Sequence, residues 1–397
     1  MSERTISDLA AHCIRCGFCL ESCPTFALTG QETESPRGRI YLIRNADAGK
    51  LDWDQEVAPH LAKCLGCRAC ETACPSGVEY GALLELAREK VKRPWAERVL
   101  LSGLTKPGVL RLQLAAAGGR KMPAAVARFL TDDAPQAEVP RPQGASGWPR
   151  LDLTISRSAY LLEGCAMGVL FPRVHEATRR LMLRCGFGVL PSQAGCCGAL
   201  HAHAGDLDSA RAMALALADA MPGDAPIVVN SAGCGSAMKA YADLGDDPRL
   251  RDVAARVVDI SEFLLAHGLE SLLAGSQGLP GRATYHDACH LAHGQRVRSE
   301  PRALLTAIPG LSWVPLPESE LCCGSAGTYN VLQPAMARRL LDRKWANIEA
   351  TGVSYVALGN PGCHAWIAQA AREKGGHVRV LHTAELLESS FSGLPVA

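Results

Sequence analysis

From residue 151 onward the chain alternates two kinds of hydrophobic pattern. Short runs rich in β-branched and apolar residues, "SAYLLEG", "GFGVLP" and "APIVVNSAG", are separated by longer runs with helical spacing, "HEATRRLMLRC", "SARAMALALADAM" and "GSAMKAYADL". The same order then returns. "ATYHD", "SWVPL" and "SYVALGN" alternate with "EPRALLTAI", "QPAMARRLLDRKWANIEA" and "AWIAQAAREK". Strand runs alternating with helical runs predict a parallel sheet with crossover helices, and the second round predicts the same α/β domain again.

Ahead of this half the pattern is helical. "PRGRIYLIRNADAGK" opens with Pro36 near a helix start and carries apolar Ile40, Leu42 and Ile43, and "EYGALLELAREKVKR" reads as a further helix. In "VLLSGLTKPGVLRLQLAAAGGRKMPAAVARFL", Gly108, Gly118 and Gly119 interrupt any continuous amphipathic face of the kind that rests on a membrane or a partner subunit. Helices packed within the chain are the expectation there. "DDAPQAEVPRPQGASGWPR", rich in Pro and Gly, follows as a linker.

Charge narrows the partners. Forty-one Lys and Arg against 40 Asp and Glu leave +1, so nothing electrostatic argues for nucleic acid. "MSERTISDLAAHCIRC" has charges of both signs and no apolar core before a small-residue cleavage site, so the chain is expected to stay in the cytoplasm. The charge-free run from Cys185 to Gly205 is broken by Gly, Pro, Gln and His and is not a membrane span. Membrane association is at most peripheral, on the inner face.

Seventeen cysteines in a reducing compartment point to metal or redox chemistry rather than disulfides. Cys13, Cys16, Cys19 and Cys23 stand at C-x2-C-x2-C-x3-C with Pro24 next, and Cys64, Cys67, Cys70 and Cys74 repeat this before Pro75. That is the spacing of a two-cluster ferredoxin, in which the fourth cysteine of each run serves the other cluster. Cys13, Cys16, Cys19 and Cys74 are therefore assigned to one 4Fe-4S cluster, and Cys64, Cys67, Cys70 and Cys23 to a second. Paired CxxC units also bind zinc, but zinc gains nothing from the longer run. The 40 residues between the motifs exceed what a hairpin needs and favour an α-helical module. Arg37 and Arg39 read as a solvated helix-start turn, with charge compensation for a cluster or docking of an acidic partner as the alternative.

The expected organisation is an α-helical ferredoxin-like module over 1–95, a helical and Pro-rich linker over 96–150, and duplicated cysteine-rich α/β domains over 151–280 and 281–397. Cysteines mark the duplication. Cys165 recurs 124 residues later as Cys289, the pair Cys196 and Cys197 recurs 126 later as Cys322 and Cys323, and Cys234 recurs 129 later as Cys363. The single cysteines fall beyond the carboxyl ends of strands, where open α/β sheets place ligands, and each pair enters on a loop from a neighbouring strand. Gly198 and Gly324 are expected to let the backbone approach a bulky ligand. Each half thus gathers four thiolates: Cys165, Cys196, Cys197 and Cys234 in the first, and Cys289, Cys322, Cys323 and Cys363 in the second. An iron-sulfur cluster, zinc and a redox dithiol all remain open for these sites. Cys185 reads as a small buried residue. His286, His290, His293 and His364 read as structural, pairing ring nitrogens with backbone groups, with hydrogen bonding to cluster sulfurs or proton shuttling as the alternative.

The double CxxCxxCxxxCP module, "SPRGRIYLI", "GCCGA" and "LCCGSAGTY" together resemble the iron-sulfur subunits of glycolate oxidase, also called glycolate dehydrogenase, over nearly the whole chain. Related proteins include iron-sulfur subunits of lactate utilisation and of anaerobic glycerol-3-phosphate dehydrogenase, and cysteine-rich subunits of heterodisulfide reductase. The resemblance implies a subunit whose flavin-containing partners oxidise glycolate to glyoxylate, with electrons passing through this chain to a quinone or a carrier protein. No GxGxxG follows a strand, in keeping with a flavin held elsewhere and with no catalytic residue assigned here. In the heterodisulfide reductase relatives each special cluster uses five cysteines ending in CxxC. Here Ser231 and Asn360 stand three residues before Cys234 and Cys363, so each site keeps four. That departure favours an ordinary cluster, another metal or an empty site. Oxidation of lactate or glycerol-3-phosphate, a thiol or disulfide reductase with catalytic cysteine-rich sites, and a zinc-stabilised docking platform are the other readings.

Overall fold

The computed structural model describes residues 4–117, 151, 153 and 155–392. Up to residue 117 every regular element described is a helix. Helix starts follow local chemistry. Thr5 caps Ile6–Ala11 in a reciprocal box with Asp8, and Ser35 caps Pro36–Asp47, its Oγ accepting from the Gly38 N–H at 3.0 Å. These helices and Tyr80–Glu89 bury Ile6, Leu9, Ile40, Ile43, Leu83 and Leu84 in one small core.

Two further helices, Trp95–Thr105 and Pro107–Ala117, bury Leu101, Leu104 and Leu110. The first packs on Ala199–His203, where Thr105 Oγ1 meets His201 Nε2 at 3.3 Å, and the second on Ala166–Leu170. They are thus packed within the chain. The rest of the expected linker, including Gly118 and Gly119, lies outside the described residues.

The remaining chain folds as two parallel four-stranded sheets. The first runs β2-β1-β3-β4, with β1 Arg157–Leu161, β2 Phe187–Val189, β3 Ile227–Val229 and β4 Val257–Asp259. The second runs β6-β5-β7-β8, with β5 Gly281–Tyr285, β6 Leu311–Trp313, β7 Tyr355–Leu358 and β8 Arg379–His382. Registers correspond as well: Ala159 pairs with Val189 as Ala283 does with Trp313. The edge strands β4 and β8 extend the expected alternation. β4 has three residues and follows the helix Pro248–Arg256 without a turn, so it carries no period of its own.

The carboxyl ends of the two sheets meet. The Ala232 N–H donates to the Gly359 carbonyl at 2.9 Å, Gly233 N–H to Asn360 Oδ1 at 3.1 Å, and His382 Nε2 to the Asn230 carbonyl at 2.8 Å. At the flank the helix Thr383–Ser392 crosses onto Pro172–Arg184 of the first half. There the wholly buried Glu388 accepts from Arg180 Nε at 2.7 Å and from Arg184 Nε at 2.9 Å. Removing one partner of such a buried pair leaves charge without compensation.

Glu388→Ala should therefore lower stability by about 3–5 kcal/mol in chemical denaturation of the complete chain, whereas a loss under 1 kcal/mol would mean the cluster is not holding the halves together. A second prediction concerns Asp259, the buried cap of Ile260–Ala266, which burial pushes up to about 7. A raised folded value means the native state keeps a proton the unfolded chain loses, so its stabilising contribution is complete below the ordinary carboxyl value and fades as pH rises through about 7. Asp259→Asn, which still caps, should flatten the fall in stability between about pH 4 and 8 in pH-dependent melts.

Candidate metal centres

The two N-terminal cysteine runs share one backbone device. Arg15 and Gly17 sit at φ 60° and 91° between Cys13, Cys16 and Cys19, and Gly66 and Arg68 sit at 63° and 62° between Cys64, Cys67 and Cys70. A left-handed conformation at a non-glycine residue is costly and persists where the surroundings impose it. Both runs thereby wrap around a point. Cys13, Cys16, Cys19, Cys70 and Cys74 border one small cavity together with Arg15, Arg37 and Tyr80. N–H groups aim at sulfur, as thiolate ligands require: Gly66 N–H lies 3.5 Å from Cys64 Sγ, and Val78 N–H 3.5 Å from Cys74 Sγ.

Behind Cys23 lies a charged network the sequence reading missed. Glu34, fully buried, takes Arg39, His60 and Lys63, each at 2.8 Å. Burial would raise its carboxyl, but hydrogen bonds from Lys63 and His60 and the Arg39 charge outweigh that and leave it below the ordinary value. Thr25 Oγ1 bridges the Glu34 carbonyl, at 2.7 Å, and Cys23 Sγ, at 3.2 Å. Arg39 is only 1% exposed, so the reading of a solvated turn is corrected for this residue. It is drawn inside because its guanidinium also donates to the Glu34 and His60 carbonyls. Arg37, partly exposed, pairs with Glu32 and reaches the Arg15 carbonyl at 3.3 Å.

Thiols of the duplicated half form two chains of contacts, Cys165 to Cys196 to Cys197 to Cys234, and Cys289 to Cys322 to Cys323 to Cys363. Hydrogen bonds from Cys165 and Cys197 draw Cys196 well below the usual thiol range. In the second half the bond to Cys322 and then burial push Cys289 up. Seven of these eight residues border a single cavity of about 640 Å³ between the sheet ends, with Cys64, Asn360 and the apolar Leu104, Met167 and Leu332 also lining it. Cys323 lies behind its wall. The N-terminal module reaches the second half directly: burial raises the Cys67 thiol and the nearness of Cys289 adds to it, and Cys67, Cys289 and Cys322 belong to one core.

The glycines after the double cysteines have another reason than close approach of a ligand. Gly198 (φ 78°) and Gly324 (φ 91°) are left-handed, and a Cβ would stand 3.0 Å from the Ala210 carbonyl oxygen and 2.6 Å from that of Ala337, on the helices Leu207–Ala220 and Pro334–Thr351. They admit a helix backbone. Three of the four histidines are structural: His290 Nε2 donates to the Gly66 carbonyl at 3.1 Å, His364 Nε2 to that of Val380 at 3.0 Å, and His293 Nδ1 meets Thr72 Oγ1 at 3.0 Å. Burial pushes His290 down to about 3 and His364 to about 4, so neither holds a transferable proton near neutrality. His286 makes no such bond. Cys185 is buried in the core at the end of Pro172–Arg184.

This geometry defines a class: a helical module with two cysteine runs, joined to a pair of cysteine-rich α/β domains. Comparison with known families agrees. Residues 9–78 match the 4Fe-4S dicluster domain, and residues 159–239 and 283–368 each match the cysteine-rich domain. Among curated relatives, the glycolate oxidase iron-sulfur subunit of Escherichia coli (strain K12) is 35% identical over 96% of this chain and 93% of its own length. The probable glycolate oxidase iron-sulfur subunit of Bacillus subtilis (strain 168) is 34% identical over 97% and 95%. Lactate utilization protein A of Oceanobacillus iheyensis is 30% identical over 58% of this chain and 96% of its own. The chain belongs to the family of glycolate oxidase iron-sulfur subunits. Among the described residues no helix is long and apolar enough to cross a membrane.

The glycine contacts can be tested by an internal control. Gly324→Ala should cost more than Gly223→Ala, which has similar φ (83°) but nothing within 4 Å of an added Cβ. We expect about 1–3 kcal/mol of strain in each from the left-handed backbone, with the clash added only at Gly324. Equal losses in thermal melts would remove the clash from the account.

Proposed function

We propose that this chain is the electron-transfer subunit of a flavin-dependent glycolate oxidase complex. Cys13, Cys16, Cys19 and Cys74 hold one 4Fe-4S cluster, and Cys64, Cys67, Cys70 and Cys23 hold a second, over the helical module 1–95. The cysteine-rich domains, 151–280 and 281–397, hold metal through Cys165, Cys196, Cys197 and Cys234 and through Cys289, Cys322, Cys323 and Cys363. Glycolate loses two electrons and two protons to become glyoxylate at a partner's flavin. Bound clusters accept and return electrons singly, with potentials set by hydrogen bonds to sulfur and by exposure.

The observation that carries this reading is the graded burial of the thiols. Cys16 is exposed, Cys64, Cys67 and Cys70 are buried, and Cys67 abuts the thiols of the second cysteine-rich site. Such a sequence leads from a surface to an interior. Beside Cys16 two large apolar side chains, Ile14 and Phe18, are each 68% exposed next to the exposed Arg15, which suits a docked flavoprotein. The residues of this chain do three things: they aim N–H groups at sulfur, exclude water from the second thiol group, and present Ile14 and Phe18 on an entry face. A quinone or a carrier protein is the acceptor.

Co-expressed with its flavin partners and purified without oxygen, the chain should carry at least about 8 iron and as much acid-labile sulfide, four for each cluster. Fewer than about 4 would defeat the reading. Phe18→Asp should keep that iron while slowing electron transfer from the flavin partner at least tenfold, and an unchanged rate would move the docking face elsewhere.

A further inference from the structure

The two cysteine-rich halves share a backbone but differ at two buried side chains. Three residues before each single cysteine, the Leu162 N–H donates to the Val228 carbonyl at 3.0 Å, and the His286 N–H donates to that of Ala357 at 2.9 Å. These are equivalent positions. On the helices that follow, Gly198 faces Ala210 and Met213 as Gly324 faces Ala337 and Leu340, which aligns Leu217 with Lys344. All four side chains are buried, His286 and Lys344 completely. The first half places two leucines where the second places an imidazole and an ammonium.

Lys344 has partners, the carbonyls of Glu318 and Ser319, the latter at 3.2 Å. His286 has no well-formed hydrogen bond on either ring nitrogen, its nearest acceptor being the Ser319 carbonyl that Lys344 already occupies. A buried imidazole left without a good partner is destabilising and is the kind of group that a bound ligand satisfies. The ligand's place is marked: one donor atom each from His286, Cys323 and Cys363 lies within 4.8 Å of the others, and among the described residues no other trio of histidine, cysteine or acidic side chains comes so close. With metal–sulfur bonds of about 2.3 Å and a metal–nitrogen bond of about 2.0 Å, tetrahedral donors on one ion stand about 3.5–4 Å apart. A cubane puts each thiolate on a different iron and spreads them further.

Resting on the reading of the cysteine-rich half as metal-holding, we infer that the second site binds a single zinc ion through His286, Cys323 and Cys363, with Cys322, whose thiol contacts that of Cys323 from outside the trio, turning in as the fourth ligand in place of Cys289, whereas the first site, with Leu162, does not. Three thiolates, a neutral imidazole and a divalent ion leave one negative charge. The buried ammonium of Lys344 offsets it, and the first half, lacking that ion, has no such cation at Leu217. Cys322 and Cys363 also border the central cavity, which gives the ion a way in.

The test uses the complete chain, co-expressed with its partners and purified without oxygen. Wild type should carry about one zinc per chain besides its iron, with an X-ray absorption edge of three sulfurs and one nitrogen. His286→Leu, the residue found at the equivalent position, should lose that zinc and keep its iron. Should this variant fold poorly, His286→Cys decides: it should retain zinc with an edge of four sulfurs. The inference is overturned if wild type holds no zinc, if His286→Leu keeps it, or if His286→Cys leaves the edge unchanged. Iron content and the signals of the reduced N-terminal clusters are read separately, so missing iron defeats the electron-transfer reading and missing zinc defeats only this one.

Discussion

One backbone hydrogen bond, from the Ala232 N–H to the Gly359 carbonyl, sets the geometry on which the rest depends. It joins the segments that follow β3 and β7, so the carboxyl ends of two parallel sheets face each other across a shared cavity. Parallel strands place loops of one sense at one end, and the eight cysteines of the two sites sit on the loops or the first helical turns that follow those strand ends, Cys185 alone lying elsewhere. Turning one sheet around would scatter those thiols over the surface. Asn360 reinforces the join from the position that a fifth cysteine would occupy, giving Oδ1 to the Gly233 N–H and donating through Nδ2 to Cys363 Sγ at 3.6 Å.

The helical module docks onto this frame through side-chain pairs such as Arg93 with Asp206 and His203 with Glu85, and through its own backbone carbonyls. Tyr329 Oη donates to Lys63 O at 3.0 Å, His290 to Gly66 O, and Arg339 to Leu28 O at 2.8 Å. Arg88 returns the pattern, donating across the junction to His203 O at 2.6 Å and, within the module, to Cys64 O at 2.7 Å. Two of these carbonyls, Lys63 O and Gly66 O, stand next to Cys64 and Cys67, so the docking contacts hold the backbone that positions those thiols. Docking and the positioning of the second thiol group therefore share contacts.

Much of this was legible in the sequence because it is local. The C-x2-C-x2-C-x3-C-P runs encode their own turns, and the strand and helix periods of the duplicated half survive in residues such as Ile227–Val229 and Pro334–Thr351. What escaped was nonlocal. Arg39 looked like a solvated residue because its partners His60 and Lys63, through Glu34, lie more than 20 positions away. Gly198 and Gly324 looked like ligand cradles because nothing in "GCCGA" or "LCCGSA" says that a helix backbone passes there. His286 was one of four histidines with equal claims, and only the pairing of its three fellows with Gly66, Val380 and Thr72 sets it apart.

The ion cluster at Glu388 bears on how the molecule comes into being. Its arginines precede its carboxylate by 204 and 208 positions, so during synthesis the first α/β half emerges from the ribosome long before the helix that covers its flank. Arg180 and Arg184 remain solvated through that interval, and the space between the sheet ends has only one of its walls. Cys165, Cys196, Cys197 and Cys234 are open to solutes then. Once Thr383–Ser392 settles, they are approached through the finished cavity, and the order in which the chain folds decides what reaches them first.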